Sequence, residues 1–195
     1  MRPFLRLAIA AAMLVAGGPA LAFDYANPTK PYYSEAVMKQ GDRSVPVKTW
    51  YSADKVKMEV SNGGRQLVLI ADRMAKTLTL ILPGRKGYFI RPMPQDTFGP
   101  LGKTGPGKGM AFEKVGEEAV NGTKAVKYKV SGKNAGGSAF DGHLWITADN
   151  IIVRLDGRQT AAGKEQAIRV DVKVLKMGPH DAKVFTVPEG YRKMG

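Results

Sequence analysis

Residues 140–157 read FDGHLWITADNIIVRLDG, and this stretch indicates the fold most directly. Asp149-Asn150 suits a two-residue turn between two short apolar runs. Because side chains alternate between the two faces of a strand, this turn sorts the flanking residues into two sets of cross-strand pairs. One face is wholly apolar and holds the pairs Leu144–Leu155, Ile146–Val153 and Ala148–Ile151. The other face holds the pairs Thr147–Ile152, Trp145–Arg154 and His143–Asp156. The stretch therefore predicts a β-hairpin with an aliphatic face and a cation–π contact between Trp145 and Arg154.

His143 is the residue of this stretch that raises the question of catalysis. A catalytic triad also needs a positioned nucleophile, and the chain has no cysteine and no G-x-S-x-G motif. A cross-strand polar contact with Asp156 accounts for the histidine without any chemistry. The adjacent carboxylates Glu117-Glu118 point to opposite faces of a strand, so they do not share a site either. We therefore predict no catalytic residue and a protein that is not an enzyme.

The same alternation continues on both sides of the hairpin. Apolar residues alternate with polar or charged ones in residues 55–61, 126–130 and 168–174. Residues 66–72 and 76–82 are richer in leucine and isoleucine, which is typical of more deeply buried strands. Turn dipeptides such as Asn121-Gly122 separate the runs at roughly the 8–12-residue spacing of a sandwich or barrel. The pattern predicts an all-β fold of about ten antiparallel strands with little helix.

The first 22 residues have the three parts of a secretory signal. Arg2 and Arg6 precede an uncharged apolar run at residues 7–15, and Ala20-Leu21-Ala22 has the small-x-small form of a cleavage site. The apolar run is shorter than the ~20 residues that a membrane-spanning helix needs. We therefore predict export with cleavage after Ala22, and a mature chain of one domain, residues 23–195, that does not span the membrane.

The charge balance is strongly basic. The formal net charge is +13, and the loss of Arg2 and Arg6 with the signal leaves +11. Such a chain attracts anionic partners. Export separates it from nucleic acid, so the expected partners are an anionic membrane surface, an acidic envelope polymer or an envelope protein. The alternative is that lysines coat exposed strands for solubility and edge protection.

Metal and cofactor sites have little support in the sequence. No cysteine is present, and His143 and His180 are the only histidines, so the usual ligands of a closed zinc site are missing. The glycine-rich stretches between residues 99 and 109 do not lie between a strand and a helix, as a phosphate-binding loop requires. We predict neither a metal ion nor a cofactor.

Residues 92–109, PMPQDTFGPLGKTGPGKG, contain four prolines and five glycines. This composition predicts a flexible loop without regular structure. The loop also carries the apolar residues Met93, Phe98 and Leu101, which a plain linker does not need. These residues favour a lid over a ligand site, and the alternative is an insertion without function.

A series of short motifs covers most of the mature chain. The motifs are VKTWYSADKVKME (residues 47–59), IAD with LTLIL and GY (residues 70–88), GEEAVNGTKAVKY (residues 116–128), GHLWITADNIIVR (residues 142–154) and VPEGY (residues 187–191). In this order they resemble the LolA/LolB-like superfamily of periplasmic lipoprotein carriers. The resemblance is closest to a secreted bacterial family of unknown function beside those carriers.

The resemblance implies a strongly curved antiparallel sheet, an incomplete β-barrel whose apolar concave face holds acyl chains. The carriers begin with an amphipathic helix over that face, whereas this chain begins with the proline-containing residues 23–33, so the loop at 92–109 is the candidate cover. The residues expected to line the face are Val56, Met58, Val60, Leu67, Leu69, Leu78, Leu80, Leu144, Ile146, Val153 and Leu155.

Two functions are consistent with these expectations. The first is a soluble, periplasmic, non-enzymatic protein that binds a lipid or acylated ligand, as a lipid or lipoprotein carrier or an envelope sensor. The second is a basic interaction module that binds an anionic envelope polymer or a partner protein without a small-molecule ligand.

Overall fold

The computed structural model describes residues 27–93, 110–133, 139–161 and 164–194. They form twelve β-strands and two short 3-10 helices, Pro83–Arg85 and Ala182–Phe185. The strands are β1 (Tyr32–Gln40), β2 (Arg43–Tyr51), β3 (Lys55–Asn62), β4 (Arg65–Asp72), β5 (Thr77–Leu82), β6 (Gly87–Pro92), β7 (Met110–Val120), β8 (Thr123–Lys133), β9 (Ala139–Ile146), β10 (Ile152–Ala161), β11 (Lys164–Met177) and β12 (Arg192–Lys193). The predicted signal sequence lies outside the described residues, as do residues 94–109 of the predicted lid.

All twelve strands belong to one sheet, in the order β12-β6-β5-β4-β3-β2-β1-β11-β10-β9-β8-β7. Neighbouring strands are antiparallel except β12, which runs parallel to β6. The end strands β12 and β7 are not paired with each other, so the sheet stays open and is not a closed barrel. The predicted all-β fold, a curved antiparallel sheet that forms an incomplete barrel, is therefore confirmed, with twelve strands where the sequence indicated about ten.

The turn predicted at Asn121-Gly122 is confirmed. Both residues have left-handed backbone angles, with φ of 48° at Asn121 and 81° at Gly122. Two consecutive positive φ angles are the mark of a type I′ hairpin turn, and Asn followed by Gly adopts it at the lowest cost. The side chain of Asn121 also donates a hydrogen bond of 2.6 Å to the carbonyl of Val172, which ties the β7–β8 turn to β11.

The hairpin of residues 140–157 is present, but its turn differs from the prediction. The cross-strand pairs Leu144–Leu155, Trp145–Arg154 and His143–Asp156 are confirmed. The loop, however, has three residues, Ala148-Asp149-Asn150, because the carbonyl of Thr147 accepts a hydrogen bond from the Asn150 N–H. This is a type I turn followed by one left-handed residue, and Asn150 has φ of 58°.

A β-bulge restores the register after the longer loop. The pairing shifts between Ile152 and Arg154, so Ile146 lies opposite Ile152 and the predicted pair Ile146–Val153 is wrong. Ala148 is exposed in the loop and does not face Ile151 on the apolar side. The extra bulge residue compensates for the extra loop residue, so Val153 and Leu155 still point into the apolar face.

The C-terminal segment covers the opposite side of the sheet at β3–β6. Phe185 is buried in a second apolar cluster with Val68, Ile70 and Ile81, and Trp50, Tyr88, Val184, Val187 and Tyr191 pack around it. This cover explains why residues 67–71 of β4 are buried without a break, whereas a strand with one solvated face would alternate. The leucine- and isoleucine-rich run predicted to be a deeply buried strand is thus buried on both faces.

Candidate functional site

One side of the sheet carries a continuous apolar surface, called here the interior face. It joins buried side chains from β1–β5 and β7–β11 in a single cluster. All eleven predicted ligand-site residues belong to this cluster: ten are buried and Leu80 is half-buried against them. The eleven are Val56, Met58 and Val60 of β3, Leu67 and Leu69 of β4, Leu78 and Leu80 of β5, Leu144 and Ile146 of β9, and Val153 and Leu155 of β10. The structure brings them together on one surface, and their role in binding stays a prediction.

The interior face also contains residues that the sequence analysis did not assign to the site. They are Met38 of β1, Val45 and Val47 of β2, and Ile168, Val170 and Val172 of β11. The valines of β11 could have been assigned from their alternation if the strand order had been known. The inward residues of β1 include an aromatic, a hydroxyl and a small side chain, so this strand has no apolar stripe in the sequence.

Many side chains of the interior face are almost fully buried. Met38, Met58 and Leu67 are no more than 2% exposed. A small cavity between β1, β10 and β11 has room for about one water molecule. Tyr32, Ser34, Ala36, Leu155, Val170 and Val172 are among the residues that line it. No helix of the described residues covers the face.

The interior face has almost no polar chemistry. Among the described residues, Ser34 and Thr49 are the only polar or charged side chains that are buried, apart from the tyrosines. Both are hydroxyls of ordinary reactivity. The face can therefore contact an apolar group over a large area. Among the described residues, no carboxylate, histidine or lysine is buried in it.

Two tyrosines and an arginine form one end of the interior face. The rings of Tyr32 and Tyr51 stack with centroids 5.3 Å apart, and the Arg73 guanidinium lies 5.1 Å from the centre of the Tyr51 ring. Arg73 Nη1 donates hydrogen bonds to the Tyr51 hydroxyl at 3.2 Å and to the Ala53 carbonyl at 2.9 Å. Burial, together with the nearby Tyr51, raises the pKa of Tyr32, so its hydroxyl stays neutral.

Of the three residues of the predicted lid, only Met93 is among the described residues. It is half-buried against the interior cluster, and its N–H donates a hydrogen bond of 2.8 Å to the Lys76 carbonyl. Phe98 and Leu101 lie outside the described residues. The chain therefore enters the segment 94–109 from a point in contact with the interior face, and the function of that segment as a lid stays a prediction.

Trp145 lies on the other side of β9 between two cations. Lys127 Nζ is 5.0 Å and the Arg154 guanidinium 5.5 Å from its ring centre, which confirms the predicted cation–π pair with Arg154. Its Nε1–H donates a hydrogen bond of 2.9 Å to Glu118, and this bond, with the one from Lys127, lowers the pKa of that carboxyl. The His143 ring lies 6.0 Å from Trp145 and opposite Asp156. His143 thus belongs to a cross-strand polar and aromatic network.

Asp171 is the centre of the charged network on the same side. Its Oδ1 accepts hydrogen bonds from Arg154 Nε and Nη2 at 3.2 and 3.1 Å, and its Oδ2 lies 2.7 Å from Lys173 Nζ. Burial acts to raise the pKa of this carboxyl, but the hydrogen bonds from Lys173 and Arg154 outweigh it and lower the pKa. These contacts hold β10 against β11, and both carboxylate oxygens of Asp171 are engaged in them.

No three His, Cys, Asp or Glu side chains of the described residues come together in a way that could hold a metal ion. Neither of the 3-10 helices in that part of the chain is long or apolar enough to cross a membrane.

Neither protein-family models nor curated proteins give a match to this sequence. Solved structures match its fold. MucB in the MucA/MucB complex of Pseudomonas aeruginosa gives a TM-score of 0.54 at 12% identity, over 91% of this chain and 59% of that chain. An uncharacterized conserved protein from Thermus thermophilus gives 0.56 at 13% identity, over 97% and 98%. A putative outer membrane lipoprotein-sorting protein domain from Vibrio parahaemolyticus matches at 0.36 and 10% identity, over 91% and 94%.

This chain spans about three fifths of the matched MucB chain. At these identities the comparisons concern the fold alone. The curved, open antiparallel sheet that the sequence predicted is present, and the chain shares its fold with MucB and the Thermus thermophilus protein.

Proposed function

We propose that this protein is a non-enzymatic, periplasmic binder of a lipid or acylated ligand, and that the acyl chain lies against the interior face. The observation that carries the proposal is the interior face itself. It joins apolar side chains of ten strands, and buried charges are missing from it among the described residues. An apolar surface of this extent suits a ligand that is itself a long apolar chain.

The open sheet gives a physical route for a ligand to enter. Since β7 and β12 are not paired with each other, the two halves of the sheet can move apart without breaking any backbone ladder. The loss is limited to side-chain contacts across the interior. An acyl chain restores such contacts and gains about 0.8 kcal/mol for each buried methylene, so about ten methylenes contribute ~8 kcal/mol.

The flexible side chains of the interior face support the same proposal. Met38 and Met58 are both buried there, one on β1 and one on β3. Methionine is unbranched and repacks more easily than valine or isoleucine. The two methionines can therefore move aside for an acyl chain at a smaller cost than a rigid β-branched core allows.

Methionine methyl resonances provide the direct test. With [13C]methyl-methionine labelling, addition of a long-chain fatty acid should shift the signals of the buried Met38 and Met58. The signals of Met74 and Met177, which are 78% and 45% exposed, are the internal control and should stay in place. Native mass spectrometry of protein purified from periplasm should detect copurified lipid. No shift at the two buried methionines, together with ligand-free protein in the mass spectrum, would refute acyl binding.

A partner protein is the second candidate, and the close burial of the interior side chains favours it. One matched structure is a complex of MucB with MucA, and this chain shares its fold. A packed core needs no ligand, so the outer surface would then carry the function. Recovery of a stable complex by a lipid-free protein, with no change in the Met38 and Met58 signals on addition of fatty acid, would support this reading.

A further inference from the structure

The ends of the sheet differ in charge. Because the strands are antiparallel, β1, β3, β5, β8 and β10 end at one end of the sheet, where the next strand of the chain begins, and β2, β4, β7 and β9 end at the other. Six basic residues stand in or directly beside the connections of the first end, and we call this set the basic end. They are Arg43, Arg65, Arg85, Lys86, Lys133 and Lys164.

The six residues of the basic end are exposed and form no salt bridge. All six side chains are exposed, and none takes part in any of the ten salt bridges of the described residues. Asp42 is the one acidic residue within the described turns there. Arg192 adds a further exposed cation beside this end, since its N–H binds the Lys86 carbonyl.

The other end is balanced by comparison. Lys30 pairs with Asp149 at 2.9 Å, and Lys55 pairs with Asp72 at 3.2 Å. If the lysines and arginines served only solubility, there would be no reason for the turns of the two ends to differ in net charge. Like charges in neighbouring turns repel one another, so the cluster costs stability unless an anionic partner compensates.

The form of the basic end indicates the class of partner. The large exposed apolar residues of the described chain are Met74, Ile90, Val115 and Met177, and none of them lies in the basic-end turns. A protein interface usually has an apolar or aromatic core inside its polar rim. A row of separate cationic turns without such a core suits the diffuse negative charge of lipid headgroups, where each Lys or Arg contributes about 1 kcal/mol.

We propose that the basic end docks the protein onto an anionic bilayer, with the ends of the strands towards the headgroups. This inference goes beyond acyl binding and does not rest on it. It concerns the turns of the sheet, whereas the acyl proposal concerns the interior face.

Sedimentation with lipid vesicles tests the inference. The wild-type protein should bind phosphatidylcholine vesicles that contain phosphatidylglycerol, should not bind pure phosphatidylcholine vesicles, and should be released by salt. The triple variant Arg43→Glu, Arg65→Glu and Arg85→Glu should lose at least about 100-fold in partition coefficient, because three contacts of about 1 kcal/mol are removed. All three positions are exposed on turns or strand ends, so the fold should tolerate the changes.

A matched variant separates a local site from net charge. Lys124→Glu, Lys176→Glu and Lys183→Glu change the net charge by the same amount at exposed positions on or near the other end. This control should keep most of the binding. Equal losses in the two variants, or equal binding of the wild type to neutral vesicles, would overturn the inference. So would binding to soluble polyglutamate without binding to the vesicles, which would point to an acidic protein partner.

The methionine signals keep the two proposals apart. In the basic-end variant, fatty acid should still shift the Met38 and Met58 resonances, because both side chains are buried in the interior face, whereas the substituted side chains are exposed. If the basic-end variant no longer binds the vesicles but still shows the fatty-acid shifts, the docking inference is supported independently of the acyl proposal. If the wild-type protein shows the methyl shifts but does not bind anionic vesicles, docking is refuted and the acyl proposal is still supported.

Discussion

Gly142 lies directly opposite Gly157, and the ring of Phe140 covers both glycines. A Cβ built on Gly142 would lie 2.5 Å from the Gly157 Cα, 2.3 Å from the Asp156 carbonyl oxygen and 2.9 Å from Phe140 Cζ. Side chains do not tolerate such distances. The two strands therefore approach each other more closely here than any other residue pair would allow, and Phe140 fills the space that the missing side chains leave.

Substitution of Gly142 by alanine should destabilise the protein. The added methyl group must push β10 or the Phe140 ring away, and overpacking of this kind costs about 1–3 kcal/mol. Neither glycine has a positive φ, so the effect comes from contact and not from backbone preference. Urea unfolding followed by circular dichroism measures the loss. Gly116→Ala in β7 is the control, since its Cβ would meet nothing within 4 Å and its change should stay within about 0.5 kcal/mol. Equal effects of the two substitutions would contradict the assignment.

This glycine pair illustrates what the sequence could predict and what it could not. The alternation of residues 143–146 and 153–156 was sufficient to pair Trp145 with Arg154, because burial of one face specifies the register. The close approach of Gly142 and Gly157 could not be predicted in the same way. It depends on how sharply the sheet bends, and a glycine in a strand is also compatible with a bulge or a weak position.

Contacts between segments that are far apart in the chain are a second feature that could not be predicted from the sequence. The apolar run at residues 66–72 indicated a more deeply buried strand, but not that both of its faces are buried or that Phe185 provides the second cover. The basic end was also hidden, because Arg43, Arg65 and Arg85 are about twenty residues apart in sequence. Only the antiparallel order brings their turns to one end. The aliphatic residues of the candidate site, by contrast, alternate within single strands, and these were predicted from the sequence.

Replacement of Asp171 by asparagine should destabilise the protein at neutral pH. The change leaves Arg154 and Lys173 without their carboxylate, and a hydrogen-bonded charge pair with a side chain only 13% exposed contributes about 1–2 kcal/mol. Asp42→Asn is the control, because Asp42 is exposed and forms no salt bridge within the described chain. Chemical denaturation at pH 7 measures both. A loss no larger than that of Asp42→Asn would show that the network adds nothing to stability.

The effect of the Asp171 substitution should also depend on pH in one direction. Folding lowers the pKa of this carboxyl below its ordinary 3.8, so its contribution is complete above that value and is lost as pH falls through the folded pKa. The stability difference between wild type and Asp171→Asn should therefore be constant near neutral pH and shrink below about pH 4. Unfolding midpoints measured from pH 7 to pH 3 test this. A difference that grows as pH falls would contradict the lowered pKa.

Truncation of Phe185 should detach the C-terminal cover. Phe185 is 9% exposed and is the centre of the cluster with Val68, Ile70 and Ile81, so Phe185→Ala should cost about 2–3 kcal/mol. Hydrogen exchange of β4 amides should quicken as the outer face of that strand gains access to water. Met74→Ala is the control, because this side chain is 78% exposed. Unchanged exchange in β4 would mean that the segment lies on the sheet without protecting it.

Two glycine substitutions can distinguish the observed three-residue loop from the two-residue turn that the sequence suggested. A two-residue type I′ turn at Asp149-Asn150 needs positive φ at both positions, so glycine would be favourable at each. In the observed loop only Asn150 is left-handed, with φ of 58°. Asn150→Gly should therefore be neutral or slightly stabilising, whereas Asn150→Ala should cost about 1 kcal/mol.

Asp149→Gly, by contrast, should destabilise the protein. Glycine increases the conformational entropy of the unfolded chain at a position with ordinary backbone geometry, and the change removes the 2.9 Å salt bridge to Lys30. Thermal unfolding of the three variants decides the matter, and a gain in stability from Asp149→Gly would favour the two-residue turn.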